Sequence, residues 1–289
     1  MTQNPDKKTT PLGSLWMLAA ALCFAIMGAF VKVGSAKFSS AELVFYRSLF
    51  GLMMIYSSIH IKQLPIKTPH LKKQFSRAFI GFVSLLMFFY AIAHLPLATA
   101  ITLNYTSPLF LAAFMPFMLH EKPRKLLYLA IFISFIGVIL LLKPGLPKEG
   151  LFAALVGLAS GCGAGLAYAH VKQLSNLNEP DWRTVFYFTL ISTVGAGIWV
   201  CIDQPSIPTW KDLHVLVGLG LSATIAQLAL TRAYRTGKTL TVASLSYATV
   251  IISSLFGILF WGELLSVSEW LAIALIVSGG LISIRSSQK

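Results

Sequence analysis

The stretch ITLNYTSPLF, Ile101 to Phe110, lies inside an apolar run from Leu97 to Leu119, yet it sets Asn104, Tyr105, Thr106, Ser107 and Pro108 in a row. Hydrocarbon satisfies no hydrogen bond, so such residues need protein or a watery cavity around them if the run crosses a membrane. The solvent decides the reading. Of 289 residues, 56% are hydrophobic and only 11% charged, too little charge to cover a soluble surface of that size. The apolar residues come in blocks of about twenty, the length a helix needs to cross roughly 30 Å of hydrocarbon. An all-α polytopic membrane protein is expected.

Ten spans are predicted, near 12–34, 41–61, 74–95, 97–119, 124–143, 150–173, 182–201, 212–235, 239–261 and 267–285. The first follows Lys7 and Lys8 but is too long for the apolar core of a signal peptide. With the N-terminus inside, 17 Lys and Arg residues fall in inner segments and 5 in outer ones, with Arg47 left within the second span. Both termini are therefore predicted cytoplasmic. The same loop clustering explains the net charge of +13 without a nucleic-acid partner. Cys23, Cys162 and Cys201 fall in separate blocks and read as small core residues. Neither a metal nor a cofactor is called for.

The chain is written twice. Tyr105 and Tyr247 stand 142 positions apart, as do Glu121 and Glu263, with matches such as Phe114 to Phe256 and Gly137 to Gly279 at that offset. Each copy holds five spans, so the second, 150–285, must lie upside down relative to the first, 12–144. Inverted repeats of this kind build transporters with a central site between the halves. Tyr105 and Tyr247 would enter from opposite sides and meet at one depth. Asn104 and Tyr105 then face a cavity; alternatively, the hydroxyls of the stretch bond back to their own helix. Pro108, and Pro116 after it, should bend the fourth span. The second copy, SLSYATVIISSLF from Ser244 to Phe256, has no proline, so the halves are expected to bend differently.

These residues resemble the EamA family of the drug/metabolite transporter superfamily. The resemblance rests on Tyr105, Glu121 and Gly137 in one copy, Tyr247, Glu263 and Gly279 in the other, and FYRSLFG, Phe45 to Gly51. The second copy departs from it, since VFYFTLIS, Val185 to Ser192, carries no arginine. The resemblance implies a ten-helix carrier of small metabolites in the bacterial inner membrane, working by alternating access. LPLATAITLNYTSPLF is similar to a subgroup associated with S-adenosylmethionine or riboflavin uptake; amino-acid-like solutes are also within the family's range.

Arg47 reads as the only ionised side chain well inside a span. It either faces the cavity and pairs with an anionic substrate group, or snorkels to the interface or to Glu42. Phe24 and Tyr90, with Phe88, Phe89 and Trp261, are candidates to line a site for a planar substrate, and Gln227 joins the substrate-binding set. Glu121 and Glu263 sit at span ends and read as structural, with Ser266 to Glu269 as a capping box for the last helix. Gly157, Gly161 and Gly165, four apart, bare one face for close packing. No Asp or Glu lies mid-span, which argues against a carboxylate proton relay. A membrane enzyme or a channel is the alternative class, but no HExxH, phosphate loop or charged selectivity ring appears. The partners expected are a small metabolite and the lipid bilayer, and the chain leaves room for a homodimer.

Overall fold

A computed structural model describes residues 11–119, 148–202, 206–237 and 239–287, with isolated positions between 126 and 140. Described residues form helices α1 (Pro11–Gly34), α2 (Ser40–Ile61), α3 (Leu71–His94), α4 (Leu97–Asn104) and α5 (Ser107–Met118). They continue as α6 (Lys148–Asn176), α7 (Asp181–Ile202), α8 (Leu213–Thr236), α9 (Thr239–Leu245), α10 (Ala248–Trp261) and α11 (Val267–Ser287). No strand occurs among the described residues. Seven segments there, α4 and α5 counted together, are long and apolar enough to cross a membrane.

Side-chain spacing shows what the helices face. On α3, Leu71, Phe75, Phe79 and Val83 are exposed, whereas Gln74, Arg77, Ala78 and Phe82 are buried. A four-residue step keeps each set on one side of the helix. On α10, Ile251, Leu255 and Leu259 form a similar outer stripe. Apolar stripes of this length suit acyl chains and would associate in water. The polar residues lie inside instead, which answers the puzzle of the opening stretch: every residue of α4 is buried. Its polar side chains meet protein.

Three pairings organise the bundle: α1 packs on α8, α3 on α6, and α2 on α7. Gly13 lies against Thr236 while Gly34 lies against Val215, so α1 and α8 run antiparallel. The fourth predicted span is two helices. Thr106 N donates to Leu103 O at 3.3 Å and Leu109 N to Thr106 O at 2.9 Å, a tightening to three-residue steps that interrupts the α pattern. Pro108 is the second residue of α5, where its missing N–H leaves no bond unmade. Pro116 is carried within α5 without ending it.

The expectation that the second copy bends differently is corrected. α9 and α10 are separated at Ser246 and Tyr247, with Thr249 N on Ser246 O at 3.0 Å and Val250 N on Tyr247 O at 3.0 Å. The same three-residue tightening occurs with no proline present. Gly262 ends α10 at φ +61°, a left-handed conformation that glycine adopts without a Cβ clash. The expected box at the last helix forms in half, because Glu269 reaches back to Ser266 N at 2.7 Å while the Ser266 hydroxyl donates to the same carboxylate. Cys23, Cys162 and Cys201 are free thiols. Glu121 and most of the fifth predicted span lie outside the described residues.

Candidate functional site

The interrupted helix opens onto a cavity at the centre of the bundle. Phe24 of α1, Arg47 of α2, Arg77 and Phe88 of α3, and Asn104 and Tyr105 at the break line it. Tyr168 of α6, Phe188 of α7, Gln227 of α8 and Thr249 of α10 complete the wall. Space for the centres of water molecules amounts to about 60 Å³, room for a few waters and well short of the several hundred Å³ of most small-molecule sites.

The break is held in place by α6. A Cβ on Gly161 would lie 2.7 Å from Leu103 O and 3.0 Å from Asn104 O, and one on Gly165 would lie 2.7 Å from Ser107 O. These are backbone atoms that cannot swing aside, so the bare glycine face serves the approach of the broken segment. Asn104 Nδ2 donates to Ser160 Oγ at 2.9 Å, and Ser84 Oγ donates to Ser160 O at 2.8 Å. Thr106 bonds back to Leu103 O at 2.7 Å, the local alternative for this hydroxyl.

Two guanidinium groups stand in the wall. Arg47 is 3% exposed and Arg77 is 2% exposed. The Nε and Nη1 atoms of both are buried without a hydrogen-bond partner, as is Nε2 of Gln227. Arg47 Cζ lies 5.3 Å and Arg77 Cζ 4.1 Å from the centroid of Phe188. No Asp or Glu among the described residues belongs to the lining. The reading of Arg47 as a solitary intramembrane charge is therefore corrected. Arg77, counted among the inner-side basic residues although the predicted span 74–95 contains it, lies nearly two turns inside α3, which begins at Leu71. Pairing of Arg47 with Glu42 is also ruled out by position: the Glu42 carboxylate accepts from Ser39 N at 2.7 Å and Ser206 N at 2.6 Å.

Phe24, Asn104, Tyr105 and Gln227 come together with Arg47, but two expected members do not. Tyr90 stacks on His94 at 4.0 Å and meets Phe152 edge-on at 6.0 Å. It lies two residues from Phe88, about 200° around the helix, and so points away from the cavity. Tyr247 is 2% exposed within the same core cluster as Tyr105 but outside the lining. Phe89 is core, and Trp261 lines a separate apolar groove with Ile26, Phe30 and Phe260. Arg77, Tyr168 and Phe188 escaped the sequence reading. One signal was available for Arg77: Arg77 and Gly81 repeat the spacing of Arg47 and Gly51. A Cβ on Gly81 would lie 2.9 Å from Arg77 Nη1, so the glycine makes room for the guanidinium.

Side chain-to-backbone bonds bridge both ends of the bundle. At one, Lys32 Nζ donates to Leu95 O at 2.6 Å and Ile92 O at 3.2 Å. There the Glu263 carboxylate accepts Leu97 N through both oxygens at 3.0 Å, capping α4. At the opposite end, Lys172 Nζ donates to Tyr234 O at 3.4 Å and Gln173 Nε2 to Met118 O at 2.8 Å. No cluster of metal-ligating side chains occurs among the described residues.

Comparison with known proteins adds a consistent picture. The pattern of the EamA-like transporter family matches residues 11–143 and again 151–285. An uncharacterized transporter of Helicobacter pylori strain J99 is 30% identical over 284 residues, covering 96% of this chain and 95% of its own. The pseudopaline exporter CntI of Pseudomonas aeruginosa UCBPP-PA14 is 30% identical over 270 residues, covering 93% and 92%. A riboflavin transporter of Rhizobium johnstonii is 25% identical over 283 residues, covering 96% and 92%. A solved crystal structure shares the fold with a TM-score of 0.72 at 19% identity, covering 96% of this chain and 98% of that one.

Proposed function

The chain belongs to the EamA-like transporter family, a multi-pass membrane transporter, and on that premise we propose that it is a secondary carrier of a small polar or aromatic metabolite. It works by alternating access across the bacterial inner membrane, with both termini cytoplasmic. Its ten helices form two inverted five-helix repeats, residues 12–144 and 150–285, around a central substrate site. What supports the inverted arrangement is the antiparallel run of α1 against α8, together with the exchange of partners between halves. The first helix of one half packs on the third of the other in both directions, and the second helices pack on each other. The family pattern also matches twice.

One observation carries the reading: a buried cavity at the break of α4 and α5, lined from both halves and bearing polar groups without protein partners. Buried polar groups without partners are rare in folded proteins unless a ligand or water supplies one. The narrow space and the bridged ends fit a carrier caught between its two open forms. Relatives named for pseudopaline export and riboflavin transport support a metabolite as cargo without naming the one carried here. Solute counterflow in proteoliposomes tests the proposal. A carrier exchanges labelled for unlabelled solute across the membrane, a channel shows no such exchange, and an enzyme alters the molecule. Chemical conversion, or flux without counterflow, would sink the carrier assignment.

A further inference from the structure

We propose that Arg47 and Arg77 together form a receptor for a small organic or inorganic dianion, so that the cargo carries two negative charges. This rests on the reading of the central cavity as the transport site. Both side chains are more than nine-tenths buried, both line the cavity, and both leave Nε and Nη1 without a partner. An arginine does not shed its proton in a protein, so burial leaves it charged. Within a membrane-spanning bundle, two like charges sharing one site and facing no carboxylate among the described residues are costly to keep. A pair that contributed only to folding would carry its counter-ion in the protein. Here the counter-ion has to arrive from outside.

The geometry fits a compact ligand. Both Cζ atoms lie close to the Phe188 ring, and the distances of 5.3 and 4.1 Å cap their separation at about 9.4 Å. A separation within that bound suits a dicarboxylate reaching both guanidinium groups, and a single phosphate at the shorter end of it. Bidentate Arg–carboxylate and Arg–phosphate bonds are the strong form of such recognition. Phe188, Phe24 and Phe88 supply an apolar wall for the ligand body, while Gln227 offers its free Nε2–H. The site is unsuited to a sulfonium or another cation, which would meet two positive charges and no negative one.

The test uses the full chain in phosphatidylcholine nanodiscs, which supply no anionic lipid, with tryptophan fluorescence read on heating at constant ionic strength. Succinate, malate, inorganic phosphate and glycerol 3-phosphate are titrated against chloride, choline and riboflavin. At least one dianion is expected to raise the melting temperature saturably by several degrees, with chloride, choline and riboflavin inert. Arg47→Gln and Arg77→Gln should each abolish that rise while raising the ligand-free melting temperature, because each removes an unpaired buried charge. Arg77→Lys keeps the charge without the fork and should retain part of the response. The dicarboxylate and phosphate arms identify which anion the forks prefer. Absence of a response to every anion, persistence of the response in Arg77→Gln, or loss of ligand-free stability in both Gln variants would overturn the proposal. Proteoliposome counterflow separates it from the carrier reading. A neutral or cationic solute exchanged equally well by both Gln variants leaves the carrier and removes the dianion, whereas a dianion that binds without exchanging does the reverse.

Discussion

Two arginine sites in this molecule, one half-buried and one buried, are built on opposite plans. Near the ends of α6 and α7, Arg183 donates Nη1 to Glu179 at 3.0 Å and Nη2 to Pro65 O at 2.7 Å. Gln74 Nε2 reaches the same carboxylate at 3.3 Å, and Thr68 adds its hydroxyl. In the central cavity, Arg47 and Arg77 share Phe188 as an aromatic neighbour, and their Nε and Nη1 atoms have no acceptor. The first cluster supplies its own counter-ion and ties the loop before α3 to the loop before α7, although Arg183 Nε itself has no partner. The second leaves Nε and Nη1 of both arginines unpaired. What separates a structural charge from a receptive one is the carboxylate beside it, not a single unpaired donor.

The sharpest way to break this contrast is to empty the self-contained cluster. Glu179→Ala strands Arg183, Gln74 and Thr68 around a lost carboxylate, and stability should fall by about 3 kcal/mol. Thermal unfolding measures it, and an unchanged melting point would make the cluster no different from a surface pair. The arginine substitutions in the cavity should move stability the other way, which is the comparison in its plainest form. Gly161→Ala pushes a methyl against Leu103 O and Asn104 O and should cost about 1–3 kcal/mol. A wild-type melting point for that variant would show that α6 can yield to the broken segment.

A smaller effect is expected at the end of α4. Glu263→Gln removes the charged acceptor of Leu97 N and should cost about 0.5–2 kcal/mol. Hydrogen exchange at Leu97 to Thr99 should quicken while exchange in α8 stays unchanged. The smallest effect is with pH. Burial alone would raise the Glu179 carboxyl, but hydrogen bonds from Thr68, Arg183 and Gln74 hold it below the ordinary carboxylate range. Its contribution is therefore complete above the unfolded value of about 4.3 and is lost as pH falls through the lower folded value. Melting points taken from pH 6 down to pH 3 should fall for the wild type and less for Glu179→Gln.

Membrane character was legible because twenty-residue apolar blocks have few other uses, and the site was legible where polar residues interrupt them. Asn104, Tyr105, Arg47 and Gln227 stood out on that ground. Arg77 did not, because it follows Lys72 and Lys73 closely and, only a few residues into the predicted span, reads as one more inner-side positive charge until α3 is seen to begin at Leu71. Tyr90 was misassigned because residue type says nothing about helix face. The break at Tyr247 was hidden for a different reason. A proline marks an interruption in the first half, but in the second it is made by backbone tightening alone, which leaves no residue-level sign.

Lys32 and Lys172 each reach a carbonyl oxygen, at opposite ends of the bundle. An ammonium released from a carbonyl near the membrane surface regains water in exchange, so losing such a hydrogen bond costs little net free energy. On the proposed carrier reading, contacts of this kind would let one mouth part while the other closes, and a gradient would set only the direction of net flow.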